Sequence, residues 1–269
     1  MLGFFVYLRL EILIAFVSID TLPTHNMAGH SKWHNIQVRK GKQDKLRANL
    51  FTKLARAITV AAQSGGADVD INFALRLAIE KARAANMPKD NIDRAIKKGT
   101  GELKDGAAIE EIVYEGFGPG GVAFVVEAMT DNKNRTSSDM KHAFSKYGGS
   151  MGGPGSVQWQ FEYKGVVRFT AEKKKHIVEW DVFELALIDA GAEDIRDSEN
   201  GVEAIGPIDR LRELLQVLEK NNIEPDDSGL EWIPKETISI DEETSGKIDI
   251  LYDALDELDD VKAVYTNVA

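Results

Sequence analysis

The sequence predicts an α+β protein of three domains, an N-terminal three-helix domain followed by two α+β sandwich domains. Three observations carry that prediction. Apolar residues recur at steps of three and four as far as residue 98, and past the polar, Gly-containing stretch 100–107 the pattern changes to alternation. From 165 to 240 the elements run strand, helix, strand, strand, helix, strand, the split βαβ order of a ferredoxin-like sandwich. A last helix and strand, about 242–258 and 261–267, have no partner in that unit and could complete a sheet begun at 111–130 and 157–163. The expected domains are therefore 27–103, basic and helical; 104–163 with 241–269, discontinuous; and 164–240, inserted between the two halves of the second.

The first helix is expected over 44–64, where Leu46, Leu50, Leu54, Ala57 and Ala61 form the buried stripe and Gly65 stands where a C-terminal cap belongs. Winding at about 100° per residue sets Lys42, Lys45, Asn49, Lys53 and Arg56 in one narrow arc beside that stripe, expected to face solvent. Asp70 is expected to cap a second helix running to about 85, with Ile71, Ala74, Leu75, Ala78, Ile79 and Ala82 inward. Pro88 suits the first turn of a third helix, 89–98, which adds Arg94, Lys97 and Lys98 to the positive surface.

Beyond the boundary, 111–115 and 122–130 read as strands joined by Gly116-Phe117-Gly118-Pro119-Gly120-Gly121. The joint spells G-x-G-x-x-G but opens onto the β-branched run VAFVVEAMT, so a hairpin turn is expected and not a dinucleotide site. A helix over 136–147 leads to a second glycine-rich loop, 148–156, which lacks the Lys-Ser/Thr ending of a P-loop and enters a strand at 157–163. A mobile connector is the expectation there. The remaining elements are strand 165–170, helix 181–190, strands 192–198 and 201–206, helix 208–221, and an extended segment through 232–240.

At 269 residues, 43% hydrophobic and 29% charged, the composition is that of a globular protein, and the absence of cysteine excludes disulfides, thiolate metal sites and a Cys nucleophile. Residues 1–26 are greasy, but Arg9 and Glu11 interrupt the run, and there is no basic n-region or A-x-A site, so neither a signal peptide nor a membrane span fits. These residues are read as a start-site artefact, with translation beginning at Met27 and the native chain at Ala28.

Charge is strongly segregated. Residues 27–105 hold 16 Lys and Arg against 8 Asp and Glu, a net of +8, and residues 106–269 hold 16 against 34, a net of −18. A basic head on an acidic body suggests a polyanionic partner for the head. Ahead of the cationic arc lies a short arm, His30-Ser31-Lys32-Trp33-His34, whose aromatic can stack on a base while the cations track phosphates. The candidate nucleic-acid contacts are thus His30, Lys32, Trp33, His34, Arg39, Lys40, Lys42, Lys45, Lys53, Arg56, Arg94, Lys97 and Lys98. The structural alternative is a solvated charged face.

His30 and His34 have the i,i+4 spacing of a metal pair, but the intervening glutamate is missing and Lys32 would repel a cation, so no metal is expected. The polar cluster Asp131-Asn132-Lys133-Asn134-Arg135-Thr136 reads as a strand-to-helix turn with caps, or as a site. No catalytic pair and no cofactor motif emerges, and the chain is read as no enzyme. The alternative is a small-molecule sensor or enzyme using an acidic cleft between the α+β domains, with Asp131, Asn134 and the 148–156 loop.

The opening AGHSKWHNI, the run LRLAIEKARAANMPKDNIDRAIKKGTGE, the hairpin YEGFGPGGVAFVVEAMTDNKNRTSSD and the loop GGSMGGPGSV together resemble the YebC family, also known through a mitochondrial translational activator of cytochrome oxidase. The resemblance covers essentially all of 27–269. It implies a helical head and two α+β domains, one inserted in the other. It also implies a non-enzymatic regulator of gene expression, since members are described as DNA-binding transcriptional regulators or as ribosome-associated factors that help translate proline runs. The implied partners are DNA or ribosomal RNA and the ribosome. A cytoplasmic monomer without membrane association is expected.

Overall fold

The computed structural model describes residues 45–103 and 108–269. Three helices open it: α1 (Lys45–Gly65), α2 (Phe73–Ala84) and α3 (Lys89–Gly99). Their shared core is Ile58, Ala61, Ala62, Leu75, Ile79, Ala82, Met87, Ile92 and Ala95, the positions at helical spacing. Small residues let α3 close on α1. A Cβ on Gly99 would lie 2.3 Å from the Thr59 carbonyl oxygen, so only glycine fits there.

The cap of α2 is Asn72 and not Asp70. Its Oδ1 accepts from the Leu75 amide at 3.0 Å, while its Nδ2 donates to the carbonyls of Ala61 at 2.7 Å and Gly66 at 2.8 Å. An aspartate can only accept, whereas this buried position must satisfy the start of one helix and the end of another. The helix therefore begins two residues later than the sequence suggests, and Ile71, expected inside, is 80% exposed.

Beyond the head come β1 (Glu110–Phe117), β2 (Ala123–Thr130), α4 (Lys133–Lys146) and β3 (Ser150–Met151). The chain next builds a second sheet from β4 (Phe161–Thr170), the short α5 (Ala171–Lys174), α6 (Trp180–Asp189), β5 (Asp194–Ser198), β6 (Gly201–Gly206), α7 (Leu211–Lys220) and β7 (Asp227–Pro234). It then returns to the first sheet through α8 (Glu242–Asp256) and β8 (Val261–Thr266). The sheet orders are β3-β1-β2-β8 and β5-β6-β4-β7, with every pairing antiparallel. The second order is the ferredoxin-like one, β4 and β6 lying centrally and β5 and β7 at the edges.

The glycine-rich joint after β1 is a hairpin turn, with Gly120 and Gly121 at φ 70° and 77°, as the β-branched run after it requires. The expected strand at 157–163 does not join the first sheet. Residues Gln158–Gln160 form a 3₁₀ turn and β4 begins at Phe161, pairing with β6 and β7 of the second sheet. The first sheet takes its edge strand from the glycine loop itself, Gly116 and Phe117 pairing with Met151 and Ser150. That loop is fixed by one carboxylate. Glu115 accepts from the amides of Gly155, Val157 and Gln158 at 2.6, 2.7 and 2.8 Å. Burial opposes the charge on Glu115, but the three amides outweigh it and hold its carboxyl below the ordinary value.

Candidate nucleic-acid interface

Helix α8 ends in an acidic run, Asp253, Asp256, Glu257, Asp259 and Asp260, with no basic residue in its last turn. Its terminal carbonyls and its own carboxylates thus present the same sign of charge, an arrangement that needs a cation from elsewhere. The head supplies it. On one face of α1, Asn49 Nδ2 donates to the Glu257 carbonyl at 2.9 Å, and Lys53 Nζ donates to the Asp256 carbonyl and lies 3.4 Å from its carboxylate. One turn on, Arg56 Nη1 donates to the Asp259 carbonyl at 2.6 Å and the Met129 carbonyl at 3.3 Å, and pairs with the Asp260 carboxylate.

Asp260 is the centre of this contact, its side chain only 7% exposed. Arg135 Nη2 and Thr136 Oγ1 donate to it at 2.9 and 2.5 Å, alongside Thr130 Oγ1 at 3.2 Å. Burial pushes its carboxyl up, but the hydrogen bonds of Thr136 and Arg135 and the charge of Arg56 prevail and hold it below the ordinary value. The polar cluster after β2 is accounted for here, with Asn132 capping α4 and Asp131 paired with Arg135 at 2.9 Å.

A second contact uses α2. Phe73 and Leu77 pack against the core of the second sheet, and one further turn on Lys81 Nζ meets Asp227 Oδ1 at 2.9 Å. Asp227 also faces the buried Arg168, which is bidentate to Glu231 at 2.8 and 2.9 Å and bonds Glu203 at 2.5 Å. Burial works against the Arg168 charge, and these carboxylates more than restore it. Between α2 and α7 runs a groove of about 800 Å³. Its cations Arg76, Lys81 and Arg212 are matched by Glu80, Glu219, Glu224, Asp226 and Asp227, so it offers a phosphate no net attraction.

The expected contact residues therefore divide. His30, Lys32, Trp33, His34, Arg39, Lys40 and Lys42 lie outside the described residues, as does the side chain of Lys45, whose backbone opens α1. Lys53 and Arg56 do not face solvent as the sequence suggests. They are 15% and 21% exposed and turn onto the acidic end of α8, because an intramolecular carboxylate at fixed distance outcompetes water for them. On α3, Arg94 and Lys97 are exposed, and Lys98, one turn beyond the buried Ala95, is half-buried. Lys97 and Lys98 have no carboxylate partner among the described residues.

Sequence reasoning missed the counter-site, Asp256 to Asp260, and the Lys81–Asp227 contact. A signal for the first existed: a helix that closes on carboxylates, against its own dipole, is a helix awaiting a cation.

Comparison with known proteins bears on both the head and the two sheet-containing units. A family model described as the TACO1/YebC protein N-terminal domain matches residues 31–102, and one described as the TACO1/YebC second and third domain matches residues 109–268. A "probable transcriptional regulatory protein" of Persephonella marina is 51% identical over 90% of this chain and 95% of its own length. Proteins of the same description from Fusobacterium nucleatum and Thermotoga maritima are 48% and 46% identical, each over 90% of this chain and over 95% and 93% of their own. A crystal structure of a conserved hypothetical protein, Aq1575, from Aquifex aeolicus superposes with a TM-score of 0.77 at 44% identity, covering 85% of this chain and 92% of that one.

Proposed function

The chain belongs to the TACO1/YebC family, and from that premise we propose that it is a non-enzymatic regulator of gene expression that binds nucleic acid through its basic head. The contact would run from the arm at His30–His34 through Arg39, Lys40, Lys42 and Lys45 to Arg94, Lys97 and Lys98 on α3. The observation that carries this reading is the pair Lys97 and Lys98, without a carboxylate partner among the described residues on a molecule whose body carries −18. The relatives' description as transcriptional regulatory proteins agrees with it.

Lysine is a point charge, suited to phosphate more than to bidentate base reading. An acidic body is repelled by a long duplex lying along it, so a compact folded RNA, such as ribosomal RNA, suits this head at least as well as a DNA operator. The protein would act in the cytoplasm as a monomer, including at ribosomes translating difficult stretches such as proline runs.

The test is binding of the full chain to labelled duplex DNA and to purified ribosomes across a salt series. Log affinity should fall with log salt at about −0.9 per phosphate contact on duplex and about −0.7 on single strands. Co-sedimentation with ribosomes is expected, with specific-to-random affinity on DNA below about 10³. Binding indifferent to salt overturns the reading. A footprint on one operator, above that ratio, replaces the ribosomal version with a transcriptional one.

A further inference from the structure

The two helices that cover the second sheet differ on their outer faces. Helix α7 buries Leu211, Leu214, Val217 and Leu218 and turns Arg212, Gln216, Glu219 and Lys220 to water, the ordinary division of an amphipathic helix. Helix α6 buries Phe183 and Leu187 on the same core, yet its opposite face carries Val182, Leu185 and Ile188 at steps of three, 59%, 60% and 51% exposed. Val178, just ahead of the helix, is 97% exposed. A helix with an apolar row on each of two faces is expected to be covered on both, and here one row lies in water.

Four carboxylates accompany the exposed face. Glu179, Asp181 and Asp189 are exposed and Glu184 is half-buried, and none has an ion pair among the described residues. On the helical wheel Asp181 and Asp189 fall between the three aliphatic side chains.

We propose that this outer face of α6 docks a basic amphipathic helical segment of a partner protein, its aliphatic side chains on Val182, Leu185 and Ile188 and its Lys or Arg on Asp181 and Asp189. Charge complementarity selects this occupant. A second copy would bring an equally acid-flanked face, on a body at −18, against this one. Area argues the same way. Ten residues of helix span about 15 Å, too little for the roughly 800 Å² per partner of a standard stable interface, whereas a peptide helix needs only one row of anchors. The inference is independent of nucleic-acid binding, since α6 packs on the second sheet and not in the head.

The experiment titrates the full chain with a fluorescent 18-residue Leu/Lys amphipathic peptide and with a scrambled peptide of the same composition, by anisotropy, with amide NMR shifts to locate the contact. The double variant Leu185→Glu, Ile188→Glu makes the protein more acidic, so attraction by charge alone would strengthen. The expected result is at least a tenfold loss of affinity in that variant, weaker binding of the scrambled peptide, and shifts confined to 178–190. Asp181→Asn with Asp189→Asn should lose severalfold and flatten the salt dependence. If the glutamate variant fails to fold, Leu185→Ser with Ile188→Ser serves, expected to lose binding likewise. Equal or tighter binding by a folded variant, or shifts elsewhere, overturns the proposal. So does a wild-type dimer in sedimentation that the glutamate or the serine double variant at Leu185 and Ile188 abolishes, because the occupant would then be a second copy.

Discussion

Helices α1 and α3 lie against each other in the head, and each carries a row of cations, but the rows have different surroundings. Asn49, Lys53 and Arg56 on α1 reach carbonyls and carboxylates at the end of α8 and in the turn before β8, while Lys97 and Lys98 on α3 meet no carboxylate among the described residues. Formal charge is the same in both rows. What separates them is whether the chain itself brings acid within hydrogen-bonding distance, and that depends on residues about 200 positions away. A cationic helix face is therefore evidence for a polyanionic partner only after the internal acids have been placed.

The sharpest way to break the comparison is Arg56→Glu. It removes the donor to the Asp259 and Met129 carbonyls and sets a second carboxylate beside the buried Asp260. Asp260 keeps Arg135, but breaking its buried pair with Arg56 and facing it with a like charge costs about 3 kcal/mol. Urea unfolding should show a loss of that order, with faster hydrogen exchange in α1, whereas reversing a cation on α3 should show neither.

Asp260→Asn comes next, at about 2 kcal/mol for the loss of charge-assisted bonds with Arg56 and Arg135. It also has a pH signature. The folded carboxyl titrates below its unfolded value of 3.8, so its contribution is full above that pH and is lost as the pH falls through the folded value. Glu115 is lowered too and contributes the same sign in both proteins. Stability of wild type minus Asp260→Asn should therefore shrink on acidification from pH 6 to pH 3. A constant difference would remove Asp260 from the acid response.

Much of the fold was legible because periodicity is local. The boundaries of α3, the hairpin after β1, and the order of the ferredoxin-like sheet all follow from spacing and glycine placement. What was not legible depended on partners distant in sequence. The strand expected at 157–163 has strand-like residues, but Glu115 gathers the Gly155, Val157 and Gln158 amides and bends that stretch into a turn. Lys53 and Arg56 have the spacing of a phosphate-tracking face, and nothing within their own helix reveals that Asp256 and Asp260 will meet them. Asn72 was passed over for Asp70 because a cap that must also donate is recognised only once α1 is beside it.

Asn49→Ala is a smaller perturbation of the same row. It deletes one neutral hydrogen bond to the Glu257 carbonyl at the exposed end of the contact and should cost about 1 kcal/mol. Combined with Arg56→Glu, which lies two turns along the same face, its effect should fall below additivity, since a loosened α1 no longer holds Asn49 in place. Full additivity in a double-mutant cycle would mean that the two residues bind α8 independently.

The smallest effect on stability, and the most informative one, is expected from Lys97→Glu with Lys98→Glu. Neither residue has a carboxylate partner among the described residues, so the folded state loses only the favourable placement of two cations in the last turn of α3. Such helix-end charges contribute about 0.3–1 kcal/mol each at low ionic strength and less in salt. At physiological salt the urea midpoint should move little. Nucleic-acid binding should respond far more, because each lysine that neutralises a phosphate adds about 0.9 to the salt slope on duplex. The double variant should flatten that slope by nearly 2 and weaken binding uniformly across sequences. Lys53→Glu provides the contrast: it should lower stability through the α8 contact, and any loss of binding should follow the loss of folded head. A double variant that keeps the wild-type slope would move the nucleic-acid contact off α3 altogether, leaving the arm and the start of α1 to carry it.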